Sequence, residues 1–256
     1  MKSFGIIAVL ALTGAANAQY SYTGSTITEN FDGLLSAASP FSATVGLQAT
    51  IPGLVWVGAK IAGSGTAVMP YTTDNVGSGN SGGIYNYGLA AGGDRALGSL
   101  GSGSNTPAFG VAIVNNSGSA ITEFSLSFNS EQYRSSTSSQ NFLTFAWGTS
   151  ATATDSDFLT SAGMAANVLG DVIGDNPVAA NGGLVPNISI RSYALTITGL
   201  NVGVGDRIYI RWSDFNDIGN DAGLAIDDLS FSAVPTPGTT ALLCLAGLAG
   251  LRRRRA

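Results

Sequence analysis

Along most of the chain, apolar and polar residues alternate with a period of two, the spacing of a strand with one buried and one wetted face. Phe124, Leu126 and Phe128 alternate with Ser125 and Ser127, and Leu143, Phe145 and Trp147 with Thr144 and Ala146. Leu195 and Ile197 alternate with Thr196 and Thr198. Ile208, Ile210 and Trp212 alternate with Arg207, Tyr209 and Arg211. Weaker runs at 26–30, 54–60, 109–114 and 225–233 read the same way, and Asn-Ser-Gly, Gly-Asp and Pro/Gly clusters between the runs suit turns. Residues 157–167 fit either a short helix or an irregular loop. There is no long amphipathic segment, no exact repeat and no Pro- or Ser-rich linker. The pattern therefore predicts an all-β fold, a single antiparallel two-sheet β-sandwich of jelly-roll or concanavalin-like type.

Both ends depart from the alternation. At the start, Lys2 precedes an apolar run from Phe4 to Leu12, and Ala16-Asn17-Ala18 is a small-x-small site. That order predicts a secretory signal peptide over 1–18, cut after Ala18 with Ala16 and Ala18 at the cleavage site, and export through the secretion translocon. At the other end, Val234-Pro235-Thr236-Pro237-Gly238 forms a break, residues 239–251 are uncharged and mostly Leu, Ala and Gly, and Arg252, Arg253, Arg254 and Arg255 follow. As a helix, the apolar run spans about 20 Å, short of a hydrocarbon core of roughly 30 Å, and Arg side chains snorkelling to the headgroups narrow the difference. With the arginines on the cytoplasmic side, residues 19–234 lie outside the membrane. The expected organisation is a signal peptide (1–18), a β-sandwich domain (19–233) and an apolar helical tail (234–256).

This tail resembles the PEP-CTERM sorting signal of Gram-negative bacteria, with Val234, Pro235, Pro237 and Gly238 at the motif and the Arg cluster behind it. The resemblance implies an exosortase-type membrane transpeptidase as a partner. It also implies transient anchoring in the inner membrane and a secreted or cell-surface destination. Five strings extend the likeness: ENFDGL (29–34), GGIYNYG (82–88), GDRALGSL (93–100), SFNSEQYR (127–134) and RWSDFNDIGNDAGLAIDDLSF (211–231). Together they resemble a β-sandwich domain common in secreted PEP-CTERM proteins, similar in build to carbohydrate-binding modules.

Composition narrows the chemistry. Without Lys2 and the four tail arginines, six basic residues face sixteen acidic ones, a net charge of −10 against −5 for the whole chain. So few cations disfavour nucleic acid as a partner. The only cysteine, Cys244, lies in the tail, so the sandwich holds no disulfide. Histidine is absent, which removes Ser-His-Asp and Cys-His catalysis and His-ligated zinc.

The densest group of donors is Asp214, Asp217, Asn220, Asp221, Asp227 and Asp228, whose oxygens in a Gly-containing loop suit a hard cation such as calcium. The spacing is not that of an EF-hand. Ile226-Asp227-Asp228 also resembles the last-strand stretch that binds structural calcium in carbohydrate-binding jelly rolls, with Glu29 or Asp32 as the N-terminal ligand. The competing reading is that these residues make Asx-turns and pair with Arg207 or Arg211. Asp94-Arg95 and Glu131-Gln132-Tyr133-Arg134 suit buried acid–Arg pairs, or a polar groove in which Glu131, Tyr133, Arg134 and Trp212 contact a sugar; Tyr85, Tyr87 and Tyr209 are further candidate stacking faces. Two functions stay open. The first is a non-catalytic protein of the cell envelope or extracellular polysaccharide matrix, carbohydrate-binding and with a structural calcium. The alternative is a secreted carboxylate-dependent glycoside hydrolase using Glu131 and an Asp.

Overall fold

The computed structural model describes residues 19–236 apart from 37–40, 65, 67, 90–92, 138–139, 152–157, 176–179 and 185–188. Ala16, Ala18, Pro237, Gly238, the apolar run and Arg252 to Arg255 lie outside the described residues. The strands are β1 (Gln19–Tyr22), β2 (Ile27–Glu29), β3 (Ala49–Thr50), β4 (Val57–Ala62), β5 (Tyr71–Asp74), β6 (Gly83–Gly88), β7 (Arg95–Leu100) and β8 (Thr106–Asn115). They continue with β9 (Ile121–Ser135), β10 (Phe142–Ser150), β11 (Ala165–Ala166), β12 (Val172–Ile173), β13 (Gly182–Gly183), β14 (Ser189–Val202), β15 (Arg207–Asp214) and β16 (Gly223–Pro235). A single 3-10 turn, Val168–Gly170, is the one helical element among the described residues.

Two eight-stranded sheets face each other. Sheet A runs β11-β10-β15-β8-β4-β3, with β1 beside β8 and β12 beside β10. Sheet B runs β13-β9-β16-β7-β6-β5, with β14 beside β9 and β2 beside β16. The four strong alternating runs fall on strands with their apolar positions between the sheets, and the weaker runs overlap strands, although 54–56 precede β4 and Val57 and Ala59 pack with Phe158 and Tyr209 on the other side of sheet A. Phe124, Leu126 and Phe128 of β9 join Phe145 and Trp212 of sheet A in this core, where Phe128 meets Trp212 edge-on, Phe124 meets Trp147, and Trp56 stacks on Trp212 with ring centroids 6.2 Å apart. Burying such rings contributes about 1.5–3 kcal/mol each, which makes this interlayer the main source of stability. Among the described residues, no helix is long and apolar enough to cross a membrane.

Three features differ from the sequence reading. The sandwich is not wholly antiparallel: β1 pairs with β8, and β5 with β6, in parallel. Both β1 and β5 are short added strands of four residues, and neither joins its partner through a hairpin. Second, β15 is buried on both faces. Segment 158–164 lies over its outer side, where Phe158 stacks on Tyr209 at 4.8 Å and Arg211 Nη1 donates to the carbonyls of Phe158, Leu159 and Ser161. Residues 158–167 accordingly take the second of the two expected forms, an irregular loop of turns with the two-residue β11. Third, the last strand runs past Ala233 into the expected break. Val234 pairs with Glu123 and Pro235 with Ile121, and Thr236 N donates to Ala120 O at 2.7 Å. Proline is tolerated there because a strand end can spare its N–H.

A candidate carboxylate site on the outer face of sheet B

Register decides which acids meet. Along β16, Ile226 and Leu229 both point into the core although they are three residues apart. Between the rungs Asp227–Asn129 and Ser230–Ser127, β16 has two residues, Asp228 and Leu229, where β9 has one, Phe128. This is a β-bulge, and Asp228 takes up the extra length in the left-handed region at φ 49°. The bulge restores inward alternation for Leu229 and Phe231 while leaving Asp227 on the outer face.

Glu131 of β9 lies on the same face, one diagonal from Asp227, because Ala225 is opposite Glu131. Asp94 enters just before β7, two residues ahead of the outward Ala96. One carboxylate oxygen from each of Asp94, Glu131 and Asp227 lies within 4.8 Å of the others. Glu131 and Asp227 are buried, and Asp94 is exposed. Burial raises the Asp227 carboxyl to about 8, with repulsion from Asp228, Glu131 and Asp94 acting in the same direction against a hydrogen bond from Asp228 N. Burial also raises Glu131, again with repulsion from Asp94 and Asp228, while a hydrogen bond from Tyr133 opposes the shift. Three oxygens converging without a basic partner in the cluster form a donor set of the kind a hard cation uses.

The other proposed metal ligands are elsewhere. Glu29 is adjacent to β16 in register, opposite Leu229, but points to the inner face, where it accepts hydrogen bonds from Tyr20 Oη and Phe31 N. Asp32 accepts from Arg95 N at 3.0 Å and from Asn30 Nδ2 at 2.7 Å. Asp228 accepts from Asn129 Nδ2 at 3.1 Å. Asp217 and Asp221 belong to the β15–β16 loop, where Asp221 Oδ1 takes Asp217 N and Asp217 Oδ2 takes Asn141 Nδ2. Of the six residues expected to bind metal, only Asp227 joins the cluster, because a one-dimensional run of acids spreads over a loop and both sides of a strand.

The expected sugar groove is not formed either. Trp212 is completely buried between the sheets, its Nε1 donating to Gly170 O at 3.0 Å. Tyr133 is buried on the opposite side of sheet B, in a stack with Tyr87 (4.8 Å) and Tyr85 (5.0 Å from Tyr87), and its hydroxyl donates to Glu131. The acid–Arg pairs are replaced too: Arg95 Nη1 donates to Asn75 Oδ1 at 2.6 Å, and Arg134 lies near the Tyr85 and Tyr87 hydroxyls. Connection 75–82 covers this stack, held by Asp74, whose carboxylate accepts from Val76, Ser78 and Gly79 N–H.

No protein-family model and no curated protein matches this chain. Solved structures with similarity include the cleaved adhesin domain of Lys-gingipain from Porphyromonas gingivalis, 12% identical with a TM-score of 0.40, covering 82% of this chain and 99% of that one. A CBM22 xylan-binding domain from Paenibacillus barcinonensis is 9% identical with a TM-score of 0.32, covering 84% and 98%. The enzymatically active domain of tailspike protein 4 from bacteriophage CBA120 is 13% identical with a TM-score of 0.33; 70% of this chain matches 19% of that length.

Proposed function

We propose that this is a non-catalytic protein of the Gram-negative cell envelope or extracellular matrix, a jelly-roll-type module that binds polysaccharide and holds a structural calcium. The observation that carries the reading is the convergence of Asp94, Glu131 and Asp227 on the outer face of sheet B. Calcium there neutralises the repulsion that raises Asp227 and Glu131, and Asp94 gives it an exposed side of entry. Beyond the trio, the same face carries Ser, Thr and Asn from β9, β14 and β16, side chains suited to sugar hydroxyls.

The hydrolase alternative draws on the same raised carboxyls, since a protonated acid is what glycoside cleavage needs. Its geometry is less suitable. Catalytic carboxyls flank a scissile bond that must lie between them, whereas Glu131 and Asp227 are both buried on the sheet face. Delivery follows from the ends of the chain: export by the signal peptide, transient residence in the inner membrane and processing by an exosortase-type transpeptidase.

A glycan array probed with calcium and then with chelator tests this function. The reading expects calcium-dependent retention with no product. Release of an oligosaccharide favours the hydrolase, and retention indifferent to chelator removes calcium from the account.

A further inference from the structure

Outward positions on four neighbouring strands of sheet B are in register as a grid of small hydroxyls. One rung is Thr196 of β14, Ser125 of β9 and Ser232 of β16. The next is Ala194, Ser127, Ser230 and, on β2, Thr28. Two shallow open depressions cut into this grid, about 330 Å³ between Leu169 and Ser232 and about 370 Å³ between Ser230 and Asn30. Ser230 lines both, so the two lie end to end in a row across the strands rather than along them. Three strand-to-strand steps of about 4.8 Å give it a length of roughly 14 Å.

We infer that this row of depressions binds a linear, neutral polysaccharide laid perpendicular to the strands, so that successive sugars meet hydroxyls of β9, β16 and β2 and the Thr196 edge of β14. The inference rests on the polysaccharide-binding reading and deepens it by naming the residues and the ligand class. Three observations support it. Among the described residues, the side-chain hydroxyls of Thr28, Ser127, Ser230 and Ser232 make no hydrogen bond, which leaves both their donor and acceptor capacity for a ligand. The Leu169 end carries no charge, and the far end presents the exposed Asp228, so an anionic glycan is repelled where a neutral one is not. Among the described residues no aromatic ring lines these depressions, so recognition proceeds through hydroxyl pairing and rim contact with Leu169 rather than through ring stacking.

The test is retention of the mature protein, in calcium, on insoluble cellulose, chitin and xylan, with alginate as the anionic comparison. Ser230→Trp fills the junction of the two depressions, and Ser127→Trp fills the neighbouring strand's position. Both substitutions are on the solvent face, and an unchanged calcium-induced rise in melting temperature verifies the fold. The inference expects retention on at least one neutral polysaccharide and a loss of about tenfold or more in affinity in either variant. Retention unchanged in both folded variants, or retention on alginate alone, overturns the groove while leaving polysaccharide binding intact. Retention of the wild type on none of the four overturns the polysaccharide reading itself.

Discussion

Asp227 and Glu131 sit on adjacent antiparallel strands, one diagonal apart, with carboxylate oxygens within 4.8 Å and Asp94 as the third member. Neither acid faces an arginine: Glu131 accepts from the Tyr133 hydroxyl, and Asp227 accepts from the N–H of Asp228. Like charges this close cannot all ionise cheaply without a cation. The relationship gives substitution at Asp227 two opposite signs.

Without calcium, Asp227→Asn removes a repelled buried carboxyl and raises stability at pH 7, on the order of 1–3 kcal/mol. With saturating calcium, the same variant is the less stable protein because it has lost a ligand. Urea unfolding with and without chelator measures both signs, and a variant less stable under both conditions contradicts the placement.

A pH dependence follows from the β15–β16 loop, away from the trio. Burial raises Asp221 to about 7, and repulsion from Asp217 adds to the shift. Its folded value is above its unfolded value, so its contribution is fully present below about pH 4 and is lost as pH rises through about 7. Asp214 is shifted in the same direction, chiefly by burial. Wild type and Asp221→Asn should therefore be about equally stable near pH 4, and the variant should gain on the order of a few kcal/mol by pH 8. Melting curves across that range check the divergence.

Trp212 gives the contrast between core and site. Trp212→Phe keeps most of the apolar volume but leaves Gly170 O without its donor, at a cost of about 1–2 kcal/mol. Retention on polysaccharide should be unchanged. A selective loss of retention in the folded variant would return Trp212 to the ligand site.

Asp74 anchors the cover over the tyrosine stack through three backbone N–H groups. Asp74→Ala should cost about 2–4 kcal/mol and speed hydrogen exchange at Val76, Ser78 and Gly79, while leaving the interlayer amides of β9 protected. Uniform loss of protection would indicate that the connection is part of the core.

The sandwich was legible because burial against one other layer imposes a period of two, and Phe124, Leu126 and Phe128 carry it openly. The coverage of Tyr209 and Arg211 was not, since it depends on a distant segment folding back over β15. The site was legible only in part. Asp227 stood out in an acidic run, but Asp94 and Glu131 join it through the register of β7, β16 and β9, which no local pattern encodes. One signal was present: the alternation of Ile226, Leu229 and Phe231 slips at Asp227-Asp228, where the bulge lies. Aromatic residues misled in the other direction, because Trp212 and Tyr133 look alike in an alternating run whether a ring faces a partner sheet or a ligand.

Calcium titration of the mature protein, followed by calorimetry and melting temperature, decides whether Asp94, Glu131 and Asp227 hold an ion. We expect saturable binding of one ion, with a rise of roughly 5–10 °C at about a hundredfold excess over the dissociation constant. Both signals should be absent in Asp227→Ala and Glu131→Gln and retained in Asp217→Asn. No heat and no rise in the wild type, or an ion lost on substituting Asp217 but not Asp227, would mean that the trio holds no calcium.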